Sequence, residues 1–134
     1  TLSAFASGRG DSDYEAATVA LKGEGGANGE AVFRTVGGFM PLEYSLGVTV
    51  YGLEPDSVYS VWLAESPVQE GREPLGIGTN RFKTDGSGKG RYVTSVSYLK
   101  LRDWRALAIY HHGGKDPENA KEMKMVLKGY LRFY

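Results

Sequence analysis

From Leu42 to Val50 the chain places Leu42, Tyr44, Leu46, Val48 and Val50 at every second position, with Glu43, Ser45 and Thr49 between them. Side chains alternate across a strand but recur every 3.6 residues on a helix, so this pattern gathers its apolar groups on one face only if the backbone is extended. Comparable segments recur at short intervals. Ala17, Val19 and Leu21 alternate with Thr18, Ala20 and Lys22. Glu30–Val36, Val58–Glu65, Ile77–Thr84, Arg91–Tyr98 and Trp104–His112 read as further strands. At the end, Met123, Met125, Leu127, Leu131 and Phe133 alternate with Lys124, Lys128, Tyr130 and Arg132. Between them lie turn-forming stretches: GEGGANG at 23–29, GLEPDS at 52–57, a loop with two prolines at 66–76, DGSGKG at 85–90 and GGKDPENAK at 113–121. No segment has the length and period of a stable helix. The expected fold is all-β: one eight-stranded Greek-key sandwich or flattened barrel over residues 16–134, preceded by an extended N-terminal arm at 1–15.

Composition removes several function classes. Sixteen Lys and Arg balance sixteen Asp and Glu, so the chain lacks the basic excess with which proteins displace counterions from nucleic acid or anionic membranes. Cysteine is absent, which removes disulfides, zinc–thiolate and iron–sulfur sites and thiol nucleophiles. No apolar run approaches the roughly 18 residues of a membrane-spanning helix, so no membrane insertion is expected. The sequence opens on Thr1 with a polar lead-in, as a mature chain does after signal removal, and an extracellular or cell-surface location is expected.

At Leu21-Lys22-Gly23-Glu24-Gly25, followed by Gly29 and Phe33, the chain resembles the first hairpin of the copper–zinc superoxide dismutases. Gly52-Leu53, Leu75-Gly76, Asp85-Gly86 and the stretch Arg105–His111 fall in that family's order. The resemblance implies the dismutase Greek-key fold. It also argues against the activity. The family's copper site takes two imidazoles from an H-x-H on the fourth strand, since alternate residues share a face. Here that strand reads Val58-Tyr59-Ser60-Val61-Trp62-Leu63-Ala64-Glu65, and the family's zinc loop is replaced by the short SPVQEGREP. Chordin-type domains and the outer domain of some bacterial anti-sigma factors share the same Greek-key look.

The remaining polar constellations are sparse. His111 and His112 are adjacent in a strand, so they face opposite sides and make a poor chelating pair; each is at most a weak metal candidate. Asp11, Asp13 and Glu15 alternate in the arm and could offer carboxylates to calcium, although a solvated acidic stretch is the plainer reading. Asp85-Gly86-Ser87-Gly88 loosely resembles a calcium loop and reads better as a hairpin turn. Arg9-Gly10-Asp11 is an adhesion-type tripeptide that recurs by chance. GEGGANG lacks the following helix and the Lys-Ser/Thr pair of a phosphate loop. No nucleophile–base set can be assembled, so no catalytic residue, no enzyme and no resident cofactor are expected.

What is left points to assembly. A polar arm becomes ordered only when its own domain or a neighbouring chain holds it. In the arm Leu2, Ala4 and Ala6 could face one way with Phe5 opposite, a poor strand-donor pattern, and Tyr130, Phe133 and Tyr134 give the last strand aromatic surface that could pack on a neighbour. The expected function is therefore an exported, non-catalytic structural subunit. It would form a homo-oligomer through its N-terminal arm, as an extracellular filament or surface layer. The alternative is a monomeric ligand- or metal-binding module built on the dismutase fold.

Overall fold

The computed structural model describes residues 15–35, 43–65, 71–75, 79–112 and 123–131. Nine strands and one short helix follow in order: β1 (Glu15–Lys22), β2 (Asn28–Thr35), β3 (Glu43–Tyr51), β4 (Val58–Ala64), β5 (Arg72–Pro74), β6 (Arg81–Lys83), β7 (Gly90–Ser97), α1 (Tyr98–Leu101), β8 (Ala106–His112) and β9 (Met123–Tyr130). They form one curled antiparallel sheet in the order β5-β4-β8-β9-β1-β2-β3-β7, with β6 also paired to β4. The chain crosses between the two halves of this half-barrel through the β3–β4, β6–β7 and β7–β8 connections. The all-β, eight-stranded expectation holds, with one edge strand divided in two.

The alternation fixes which face is inside. Leu46, Val48, Val50, Val61, Leu63, Leu107 and Ile109 are fully buried and pack with Phe33, Leu21 and Leu127. Each such side chain contributes roughly 1.5–3 kcal/mol by leaving water. A smaller set, Ala64, Ala106 and Ala108 with Tyr110 against them, is buried on the opposite face of β4 and β8.

Three details differ from the sequence expectation. The segment 66–76, read as a loop, supplies β5, which pairs with Trp62–Ala64 of β4; the expected strand at 77–84 contracts to β6, which pairs with Val58–Ser60. Pro74 is tolerated there because an edge position demands no second ladder partner. The strand expected over Trp104–His112 starts at Ala106, behind α1. Ser97 caps that helix by accepting from the Lys100 amide at 3.1 Å. Finally, β1 begins at Glu15, the last residue assigned to the arm, which pairs with Arg34 across a register shift.

The two ends of the sheet, β7 on one side and β5–β6 on the other, meet through side chains. The Phe82 ring lies 6.3 Å from that of Tyr92. It also fills the space where a Cβ on Gly90 would stand, 2.7 Å away. The Tyr92 hydroxyl donates towards the carbonyls of Thr79 at 2.8 Å and Leu75 at 3.1 Å. At the end of the barrel, Thr84 ties two loops together: its hydroxyl donates to Glu54 O at 2.6 Å and accepts from the Ser57 amide at 3.0 Å. Gly88, at φ 82°, lets the 85–89 turn approach Leu53 so closely that a Cβ would collide with its carbonyl.

Replacing Tyr92 by Phe keeps the ring and leaves two carbonyls without their donor. The expected loss is about 1–3 kcal/mol of unfolding free energy, measured by urea denaturation. A Y92F chain as stable as the parent would show that the hydroxyl does not hold the sheet's ends together.

Candidate functional site

Two places gather the polar chemistry of the described residues, and the adjacent histidines divide between them. The inner face of β8 ends in His111, and the outer face ends in His112. Leu107 and Ile109 precede His111 in the main core, while Ala106, Ala108 and Tyr110 precede His112 on the other side.

His111 opens into a groove of about 640 Å³ at one end of the barrel. The turn after β1, the 52–54 loop and the middle of β9 form its walls, and Lys22, Glu24, Leu53, Lys124 and Val126 line it. His111 Nε2 lies 3.2 Å from a Glu54 carboxylate oxygen, and its ring sits 5.0 Å from the Tyr59 ring. Tyr59 is stacked on Phe82 at 5.7 Å, and its hydroxyl accepts from the Glu54 amide at 2.9 Å. Burial pushes the Tyr59 hydroxyl above its ordinary range; the amide donor draws it back in part, and the Glu54 charge adds to the rise. Glu54 is 71% exposed, so its pairing with His111 is worth little to stability. An imidazole and a carboxylate at the mouth of a mixed groove can hold a polar ligand by hydrogen bonds, with the buried Tyr59 ring behind them.

On the outer face, His112 Nε2 lies 2.7 Å from Ser60 Oγ. The same hydroxyl accepts from Trp62 Nε1 at 2.6 Å and meets Met123 Sδ at 4.0 Å. Beside them the Arg72 guanidinium covers Trp62 at 5.2 Å and Tyr110 at 4.9 Å, with the two rings edge to face. Lys128 pairs with Glu65 at 2.6 Å and lies over Tyr130, and the carboxylate holds the ammonium above its ordinary range.

The imidazole cage implied by the resemblance requires two histidines at alternate positions of the fourth strand. The outer face of β4 carries Ser60 and Trp62 there instead, and its inner face is core. These residues do not fit the family's copper and zinc centres. Among the described residues, no group of three or more His, Cys, Asp or Glu side chains comes together. Asp11 and Asp13, the adhesion-type tripeptide, and Leu2, Ala4, Phe5, Phe133 and Tyr134 lie outside the described residues. Tyr130 is 57% exposed.

Sequence reasoning missed the partners of both histidines. Tyr59 and Ser60 are contributed by β4 through long-range pairing, Tyr59 opposite His111 and Ser60 opposite Tyr110. It also misread β9. A register shift between Met125 and Leu127 places two β9 residues against one step of β8: Met125 pairs with Tyr110, and Leu127 with Ile109. Met123 and Met125 therefore face outwards while Leu127 is buried, although all three share one parity. A bulge leaves no mark in the apolar pattern, so the sequence offered no signal for it.

The 85–89 turn is built around one carboxylate oxygen. Asp85 Oδ1 accepts from the Ser87 hydroxyl at 2.7 Å, the Ser87 amide at 2.9 Å and the Lys89 amide at 3.0 Å. This geometry is that of a side-chain-capped turn. The Ser87 hydroxyl, followed by the Lys89 and Ser87 amides, holds the Asp85 carboxyl below its ordinary value. No protein-family model matches the chain, and no curated protein matches it in sequence.

Because the folded Asp85 value is the lower one, its stabilisation is present above the unfolded value, about pH 3.9, and is lost as pH falls through the folded value. Asp85→Asn should therefore flatten the acid limb of a stability-against-pH curve below about pH 4, read by thermal melts. An unchanged acid limb would show that the turn does not depend on the ionised carboxylate.

Proposed function

We propose that this chain is an exported, non-catalytic structural subunit on a dismutase-like scaffold that joins copies of itself by strand addition, as an extracellular filament or surface layer. The observation that supports it most is the state of β7. Among the described residues, β7 forms a ladder with β3 alone, in unbroken register from Gly90 opposite Val50 to Ser97 opposite Glu43. Its first residues lie against β6, with Phe82 on Gly90 and Tyr92. Sheet edges invite a foreign strand unless charge, proline or a bulge blunts them. From Tyr92 to Ser97 the strand reads Tyr-Val-Thr-Ser-Val-Ser, with no charge and no proline, and its register with β3 contains no bulge. Val93 is 60% exposed.

The occupant we assign to this edge is the N-terminal arm of a second copy. Backbone groups of the added strand supply affinity, and the alternate side chains Leu2, Ala4 and Ala6, with Phe5 on the opposite side, supply register. Head-to-tail addition of this kind propagates as a polymer wherever its rotation does not close a ring. The balanced charge, sixteen of each sign, imposes no long-range repulsion between copies. The edge also sits away from the groove at His111, so that groove is free for other use.

A second reading is favoured by the groove itself. Its imidazole and carboxylate would let a monomeric module hold a small polar ligand at His111 and Glu54. The two readings differ in oligomeric state.

Light scattering after size exclusion should find the full chain as an oligomer that grows with concentration. Removal of residues 1–14, and the pair Val93→Lys with Ser95→Lys on the edge, should each give monomers with unchanged far-ultraviolet circular dichroism. A full chain that stays monomeric at every concentration, or edge variants that assemble as before, would overturn strand addition through β7.

A further inference from the structure

We propose that the outer face of β8 and β9 binds a soft monovalent transition ion, Cu(I) or Ag(I), between the thioethers of Met123 and Met125 and the imidazole of His112. The site begins with register. Met123 is the direct cross-strand partner of His112, and Met125 that of Tyr110, so both thioethers and the imidazole share one face. The shift between Met125 and Leu127 puts them there; with an uninterrupted ladder these methionines would share the inward parity of Leu127.

Packing does not account for Met125, whereas Met123 is partly buried against the Ser60 hydroxyl. Methionine is usually a filler of irregular core gaps, yet Met125 is 46% exposed. The chain has three methionines and two histidines, and two of the former and one of the latter meet here. In a chain without cysteine, thioethers are the soft ligands available, and thioether–imidazole sets select Cu(I) over hard cations. Met123 Sδ and His112 Nε2 already converge on one atom, the Ser60 hydroxyl oxygen, at 4.0 and 2.7 Å. Rotation about the flexible methionine side chain can bring the sulfur to the same ion as the imidazole nitrogen. Lys124, between the two methionines, is the cross-strand partner of His111, so its parity places it on the other face of the sheet. Trp62 stands at the rim with its indole nitrogen on the same Ser60 hydroxyl. The site is distinct from the β7 edge and does not depend on assembly.

The test uses the full chain. Silver nitrate is titrated in chloride-free buffer, and Cu(I) is supplied anaerobically with ascorbate in competition with a chromogenic Cu(I) chelator. The expected result is one ion per chain by elemental analysis, with a change in tryptophan emission that a Trp62→Phe variant lacks. Met123→Leu with Met125→Leu conserves volume and should fold as the parent does by circular dichroism, while its affinity falls by at least about tenfold. Met40→Leu should leave affinity unchanged. Absence of Ag(I) and Cu(I) binding by the parent, equal affinity in the double variant, or an equal loss in Met40→Leu would each overturn the site.

Discussion

The structure turns on how a curled sheet finishes. Its eight-strand path brings β7 round to face β5 and β6, and among the described residues the two ends are joined by rings and a hydroxyl rather than by a backbone ladder. Phe82 and Tyr92 bridge the gap, and Gly90 makes room for the ring. A side-chain closure buries the core as a ladder would, since Leu46, Val48, Val50, Val61 and Leu63 are all sealed from water. Among the described residues, the strand at that end of the sheet forms a ladder with β3 alone. That single property links the packing of the fold to the self-association proposed for it.

The same curl sorts the chemistry. One face of β4 and β8 is core and ends in Tyr59 and His111, at the mouth of the groove. The other carries three buried alanines under Trp62, Arg72 and Tyr110 and ends in Ser60 and His112. A one-residue step along a strand therefore moves an imidazole from one environment to a wholly different one. The register shift in β9 does the same for two methionines. Function on such a scaffold is decided by parity, and parity is set by ladder register.

Much of the fold was legible because burial of one sheet face writes a period of two into the sequence. The segment Leu42–Val50 is the plainest case, and β3 runs over Glu43–Tyr51. The opposed orientation of His111 and His112 followed from the same rule. The three-residue strands β5 and β6 were not legible, because so short a span carries no period and Pro74 reads as loop. The bulge in β9 was not legible either: Met123, Met125 and Leu127 keep their spacing while the backbone changes face beneath them. The partners Tyr59, Glu54 and Ser60 were missed for a third reason. They come from distant positions, and only the pairing of β4 with β8 brings them to the histidines.

Amide hydrogen exchange, followed from dilute to concentrated solution, tests the open edge most directly. If β7 accepts a strand from a second copy, amides between Val93 and Ser97 gain protection as concentration rises, while those of the central strand β2 stay constant. Protection along β7 that is already complete in dilute monomer, or that never changes as larger species form, would contradict the free edge on which assembly is proposed to depend.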